Sequence, residues 1–481
     1  MFPLSRCKKA VITCLFGVLA IGTVQAQSFK VFTFDFDNGA FPNSVIHGRD
    51  GNLYGTTYGG GIACYLNGEI VGCGTIFRLS PQGDLVTLYR FGCPDCAPDS
   101  TPEKGLTLAN DGSFYGTTIF GPNSCFTDYC GTIYKITPKG KFTMLYAFCA
   151  ERDCPEGETP WTLLQATDSN FYGTALGGGR YDYGTLFKLT PEAKFSTLHS
   201  FCSPDGCHDG GVLSTLIQAS DRSFYGINSD LALVKITRNG ITVLHTFDNE
   251  DGRPPYSLIE SADGNLYGAA VYGGPNNYGA LFKIAPSGQF TSLYSFCTQP
   301  GCADGSYPTG LIQGNDGNFY GTTLAGGDVT ACSQGCGTIF KITPQGSLTG
   351  LHNFEYTDGG NPQPGLIQAT NGILYGAANS GFNLHCKYLY SCGEIFSLDM
   401  GLAPFVAFVQ ASGKVGQTGG ILGQGFTGTT SVMLNGTPAS FKVVSDTYLT
   451  ATVPQGATSG YVTVTTPGGT LTSNKPFRVI P

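Results

Sequence analysis

A phrase close to Asp-Gly-Asn-Phe-Tyr-Gly-Thr occurs seven times in this 481-residue chain, with its tyrosine at Tyr54, Tyr115, Tyr172, Tyr225, Tyr267, Tyr320 and Tyr375. Successive copies lie 42 to 61 residues apart. A period of this size, filled with short β-type runs, belongs to propellers and solenoids, where each repeat buries its apolar faces only against its neighbours. Each unit holds four strand-like segments, in the sixth at 310–313, 318–323, 337–343 and 347–354. The first two are joined by the Asp-Gly-Asn turn and the last two by Thr-Pro-x-Gly, both tight turns. Seven such units predict an all-β, seven-bladed β-propeller over residues 27–400. The seventh unit lacks its fourth strand, but residues 28–34 read Ser-Phe-Lys-Val-Phe-Thr-Phe, like an orphan fourth strand. That segment is expected to complete the last blade and close the ring without an open edge.

Residues 1–26 read as a signal peptide: Arg6, Lys8 and Lys9 precede an apolar run, and Val24-Gln25-Ala26 forms a small-residue cleavage site. The run is too short for a membrane span, so the mature chain is expected to be secreted or held at the cell surface. Removing those three basic residues moves the formal net charge from −8 to −11. This argues against nucleic acid and anionic membranes as partners. Only 12% of residues are charged and 70 are glycine, which fits a turn-dense all-β protein.

Cys7 and Cys14 leave with the signal. The remaining cysteines fall into close neighbours, Cys64/Cys73, Cys93/Cys96, Cys125/Cys130, Cys149/Cys154, Cys202/Cys207, Cys297/Cys302, Cys332/Cys336 and Cys386/Cys392. An even count, local pairing and export make each a predicted disulfide, stapling a loop. Cys93-Pro-Asp-Cys96 matches a redox motif, but the equivalent loops carry a wider spacing, which favours a staple. A zinc site would need four converging thiolates, and no such convergence is visible; no metal or cofactor is expected.

The units resemble the GloVer-type tandem repeat of exported, choice-of-anchor bacterial proteins. The resemblance rests on the Asp-Gly-Asn-x-Tyr-Gly-Thr phrase, Gly-Thr-Ile-Phe-Lys-Ile-Thr-Pro-x-Gly, and Leu-Tyr-x-Phe at the end of the fourth strand, recurring in that order from about Phe29 to Leu398. It implies an extracellular or surface location and brings no catalytic residues. From about Ala403 cysteine vanishes and short Thr/Val strands follow. Gly423-Gln424-Gly425-Phe426, Val453-Pro454 and Thr466-Pro467-Gly468-Gly469 resemble an IPT/TIG domain. Residues 401–481 are therefore expected to form an immunoglobulin-like sandwich, serving as spacer or interaction module.

Strand order places both tight turns of every unit on one face and the longer connections, with all the cysteine pairs, on the other. That loop-rich face is the expected binding face. Acids recur there before the first strand: Asp37, Asp99, Glu156, Asp209, Asp251, Asp304 and Asp358. With the first strand innermost, they are expected to ring the channel mouth, as a polar or cation site or as plain turn chemistry. Trp161 and Tyr256 begin first strands near the same mouth and are candidates for stacking on a sugar. Tyr65, Tyr129, Tyr181, Tyr183 and Tyr278 populate the neighbouring loops. The Tyr54-type residues are read as packing between blades. Arg78, Lys135, Lys188, Lys235, Lys283 and Lys341 are read as structural, with solvated heads, and His199, His245 and His352 as scaffold substitutions for tyrosine.

The sequence holds no His-Glu-x-x-His, no Gly-x-Ser-x-Gly and no phosphate loop. The leading expectation is an exported, non-enzymatic binding or scaffold protein whose partner is a glycan or a cell-surface protein. A rival is a polysaccharide lyase or hydrolase using carboxylates at the channel mouth, which requires two acids at mechanistic separation. A third reading is a purely structural component of the cell envelope.

Overall fold

The computed structural model describes residues 28–480, apart from 64, 67–68, 71, 93–100, 122–129, 204–206, 208–209, 331, 356, 382–385, 387–388 and 390, and apart from the side chains at 65–66, 69–70, 254 and 256. The chain is all-β, and the repeats form a series of small antiparallel sheets, four strands to a unit, paired in sequence order. The third is representative, with Glu158–Gln165, Phe171–Gly177, Thr185–Leu189 and Phe195–Ser200. In the sixth unit the first strand runs Ser306–Gln313, beginning four residues before the sequence-predicted start, because it continues through a bulge at Pro308/Gly310.

The expected orphan strand is present. Ser28–Thr33 pairs antiparallel with Glu394–Asp399, from Ser28 opposite Asp399 to Thr33 opposite Glu394. The first and seventh sheets also share a core, in which Phe34, Phe77 and Leu79 meet Tyr375, Ala377 and Ile395. Backbones of neighbouring first strands come close to one another, whereas those of the fourth strands stay further apart and meet through rings such as Tyr89 and Phe142. The first strands therefore converge and the fourth strands splay outward.

The repeated phrase explains how the sheets pack. The Tyr54 ring stacks on Phe114 of the next sheet at 4.2 Å between centroids. Tyr115 meets Phe171 and Tyr267 meets Phe319 at the same separation. Each such pair adds about 0.5–1.5 kcal/mol beyond the area it buries. The following glycine is needed for close approach: a Cβ at Gly268 would run into the Phe282 ring and the Ser257 carbonyl. The expectation that these tyrosines pack between sheets is borne out.

Within each turn the phrase builds a polar cluster. The Asp111 carboxylate accepts hydrogen bonds from the Tyr115 hydroxyl (3.0 Å) and the Ser113 N–H (2.9 Å), and pairs with Lys135 Nζ at 2.7 Å. The same lysine head sits 5.6 Å from the centre of the Tyr115 ring. Lys188, Lys235, Lys283 and Lys341 repeat the pairing on Asp168, Asp221, Asp263 and Asp316. The lysine heads are thus bound to the turn rather than simply solvated. Burial pushes the Asp111 carboxyl up, but Lys135, the Ser113 N–H and the Tyr115 hydroxyl outweigh it and hold it below its ordinary range. The seventh unit has Asn371 in place of the aspartate and Ser397 in place of the lysine, so both charges are lost together.

Residues 401–480 form two four-stranded sheets and a short parallel pair. A single core of Val406, Ile421, Phe426, Leu449, Val464 and Phe477 lies between them. This unit docks on the tight-turn side of the repeats. The Thr447 hydroxyl donates to the Arg49 carbonyl at 2.7 Å, and the Arg49 guanidinium lies 4.5 Å from the Tyr448 ring centre. Asn315 Nδ2 donates to the Ala403 carbonyl (2.7 Å) and Lys475 Nζ to the Glu260 carbonyl (3.2 Å).

Candidate functional site

With the C-terminal unit on the tight-turn side, the longer connections are left on the other side of the repeats. Disulfides join Cys149–Cys154, Cys202–Cys207, Cys297–Cys302, Cys332–Cys336 and Cys386–Cys392 across these connections. Cys73 and Cys130 are also disulfide-bonded. Cys64, Cys93, Cys96 and Cys125 lie outside the described residues. Closing loops this short contributes on the order of 2 kcal/mol each and fixes their shape. Cys149, Cys202 and Cys297 all sit in the left-handed region, at φ 56°, 63° and 59°. There a non-glycine residue is costly, and the bridge holds it.

The described acids Glu156, Asp251, Asp304 and Asp358 are each held by local partners. Asp251 pairs with His245 Nε2 at 2.7 Å and Asp358 with His352 Nε2 at 2.9 Å. Asp304, nearly buried, accepts from the Tyr294 hydroxyl (2.8 Å), the Thr298 hydroxyl (2.7 Å) and the Thr298 N–H (2.9 Å). Glu156 accepts the Ala150 N–H at 3.1 Å, and its charge, after burial, helps push Tyr146 up to about 12. Tyr146, His245, Tyr294 and His352 all belong to fourth strands, which splay outward. Asp251, Asp304 and Asp358 are each held there by a side chain that the sequence reading treats only as scaffold. Asp99 and Asp209 lie outside the described residues.

Trp161 sits in the bulge between Pro160 and Thr162 of its first strand. Lys104 Nζ lies 3.9 Å from its ring centre, so one face of the indole is covered by a cation rather than open to a sugar. Burial lowers the Lys104 pKa, partly offset by Glu103. Tyr256 occupies the same bulge position, between Pro255 and Ser257, and its side chain lies outside those described. Among the described residues one cluster has the composition of a metal site, but it does not fit one. The cluster of Cys149, Cys154 and Glu158 contains two disulfide sulfurs, which are not thiolate ligands.

What the structure does bring together is a group of tyrosines. Tyr272 ends a second strand, Tyr278 precedes the following third strand, and Tyr307 opens the first strand of the sixth sheet. Ring centres are 5.4 Å apart for Tyr272–Tyr307 and 5.6 Å for Tyr278–Tyr307. Tyr272 is 51% exposed and Tyr278 37%, and Tyr307 lies between them with a left-handed backbone (φ 60°). Such rings offer apolar faces with hydroxyls at their edges. Of the three, sequence reading singles out only Tyr278. Tyr272 reads as strand, and Tyr307 is separated from both by two strands and a loop, so nothing in the pattern signals that they meet. Tyr183, also expected on these loops, is 53% exposed, and Tyr181 lies under Arg180 at 5.3 Å. Tyr129 and the Tyr65 side chain lie outside the described set.

Antiparallel four-stranded sheets packed in series, with stapled loops on one side, define an all-β, propeller-like repeat protein. Virginiamycin B lyase from Staphylococcus aureus is similar in structure, with TM-score 0.53 and 14% identity over 78% of this chain and 99% of that one. A fungal alcohol oxidase of the AA5 family, in complex with copper, is similar with TM-score 0.54 and 12% identity over 95% and 100% of the two chains. The extracellular domain of a putative hybrid two component system from B. thetaiotaomicron aligns at TM-score 0.50 and 10% identity, over 94% and 59%. At these identities the likeness is one of fold alone. The chain belongs to the Gloeobacter/Verrucomicrobia repeat family, whose model matches residues 16–158, 127–233 and 228–438. No curated protein matches it.

Proposed function

We propose that this is an exported, non-enzymatic binding protein: a closed seven-bladed β-propeller over residues 27–400 that presents one stapled loop face to a glycan or a cell-surface protein. Residues 1–26 would act as the export signal. Residues 401–481 would be an IPT/TIG-type immunoglobulin-like sandwich, a second contact surface braced against the first domain. The observation that carries the reading is the exposed cluster of Tyr272, Tyr278 and Tyr307 on that face. Tyr256, at a bulge of the same first-strand layer, is a further contributor. The acids Glu156, Asp251, Asp304 and Asp358 support the loop geometry rather than a carboxylate pair, because each is committed to local hydrogen bonds. Glycan-array binding of the secreted chain tests the proposal, with reducing-sugar release assayed in parallel. The double variant Tyr272→Ala/Tyr278→Ala is expected to lose at least about tenfold in affinity for the bound glycan, with thermal stability little changed, since neither ring is buried. Turnover of a polysaccharide, or binding that ignores both substitutions, overturns it.

A further inference from the structure

A second site lies away from the loop face, in a cleft of about 940 Å³ between the third and fourth sheets and the C-terminal unit. Its origin is a local departure from the repeat. In three of the other sheets an aromatic at the start of the fourth strand wedges against the ring of the preceding fourth strand, whereas the first and sixth carry Leu85 and Leu348 there. Phe142 stacks on Tyr89 at 4.1 Å, Phe195 on Tyr146 at 4.0 Å and Phe290 on His245 at 4.5 Å. In the fourth sheet that position is Ile241. Its third and fourth strands are joined through Thr237 opposite Gly240, one residue shorter than the connection between Ile136 and Phe142. With the wedge reduced and the turn drawn back, the groove between these two sheets stays open. Both Ile241 and His199 line it, as does Leu198, which is 49% exposed.

The charge of the cleft is opposite to that of the molecule. The chain has formal net charge −8 with 26 Lys and Arg in all. The cleft nevertheless collects Lys188, Arg222, Arg238 and Lys414 against one carboxylate, Asp168. Asp168 is engaged by Lys188 at 3.6 Å, the Tyr172 hydroxyl and Asn170. The neighbouring Asp221 is engaged by Lys235 and the Tyr225 hydroxyl. Three positive groups therefore remain beyond the one that neutralises Asp168. They come from three places: the first turn of the fourth sheet, its short second turn, and the C-terminal unit. Between them the walls are apolar, with Tyr172 and Phe224 among them. A pocket of this volume suits a ligand of several rings. Converging Arg and Lys side chains select carboxylates, and apolar walls select flat or ring faces.

We propose that this cleft binds an acidic oligosaccharide, a chain of uronic-acid residues, held by Arg222, Arg238 and Lys414 across the junction of the two domains. Binding would tie the C-terminal unit to the fourth sheet. The site shares no residue with the tyrosine cluster and does not rest on the glycan reading of the loop face.

The test is calorimetric titration of the secreted chain with oligogalacturonate, oligoalginate and heparin oligosaccharides, alongside a neutral cello-oligosaccharide and inorganic sulfate. At least one uronate oligomer is expected to bind, more weakly as salt rises, while the neutral sugar and sulfate alone do not. Arg238→Ala and Lys414→Ala are each expected to weaken it about tenfold with the melting temperature unchanged. Tyr272→Ala/Tyr278→Ala should leave it intact, which separates this site from the loop face. Absence of binding by all three uronate oligomers overturns the proposal. So does equal binding of the neutral sugar or of sulfate, or affinity indifferent to both cation substitutions.

Discussion

At the scale of single residues, the seven units differ most where one has lost a polar partner. In several sheets a threonine pair joins the second and third strands, as Thr57 with Thr75, Thr118 with Thr132 and Thr323 with Thr338, each at 2.8–2.9 Å. The seventh sheet has Ala378 opposite Glu394 at this position. Glu394 is 2% exposed and its Oε2 has no hydrogen-bond partner among the described residues. Burial, and then the Asp358 charge, push its pKa up to about 7. The folded chain therefore binds a proton more tightly than the unfolded one. The contribution of Glu394 is best below its ordinary pKa near 4.5 and is lost as pH rises through about 7. Glu394→Gln is expected to melt higher than the parent at pH 8, by on the order of 2–3 kcal/mol, with the gap closing by pH 4.5. Melting curves across that range check it; a gap independent of pH would contradict the assignment. The tyrosine of each unit is readable from its period alone. The partner of the repeated lysine is not, because Asp111 and Lys135 lie 24 residues apart in sequence and meet only through the register that sets Tyr115 opposite Lys135.

At the scale of elements, the joint between sheets is a clasp that recurs around the repeats. Tyr307 takes a left-handed backbone before Pro308, donates its N–H to the Tyr278 carbonyl at 2.8 Å, and lays the proline ring over Gly279. Thr101-Pro102 does the same on Cys73-Gly74, and Asn361-Pro362 on Cys336-Gly337. Phe41-Pro42 repeats it on Cys392-Gly393, where the first sheet meets the last. Gly279 has φ +95° and no room for a Cβ beside Pro308, whereas Gly264 has φ +78° and nothing within 4 Å. Gly264→Ala should therefore cost only its backbone strain, about 1 kcal/mol, and Gly279→Ala about 3 kcal/mol or more. Chemical denaturation of the two variants reads the difference directly, and equal losses would show that the clasp contributes nothing. Strand order and turn positions were legible because hairpin turns are local. The clasp was hidden because a residue before proline is ordinarily extended, and only contact with another sheet holds it otherwise.

At the scale of the whole molecule, the docking of the C-terminal unit was not legible in the sequence. The C-terminal unit covers the tight-turn side through scattered polar contacts, such as Thr447 to Arg49 and Asn315 to Ala403, that no motif announces. The partners of the acids were equally hidden, since His245, Tyr294 and His352 reach them from strands earlier in the chain. The pairing of Ser28–Thr33 with Glu394–Asp399 was foreseen from a strand missing at one end and spare at the other. Deleting residues 28–33 would leave Glu394–Asp399 as an unpaired edge, a template for association. Size-exclusion chromatography is expected to show oligomers or aggregates for the deletion and a defined species for the parent. A deletion variant that elutes and melts like the parent would refute that role.

The same pairing sets a clock on biosynthesis. The partner of the strand Ser28–Thr33 lies about 360 residues downstream. At ribosomal rates of roughly 5–20 residues per second, the two ends first coexist only about 20–70 s after the opening strand emerges. For that interval the start of the chain is a sticky segment without its mate. Every earlier sheet can form in turn, yet this pairing waits for the final repeat, so a truncated transcript would yield nearly all the sheets and leave the opening strand without its partner.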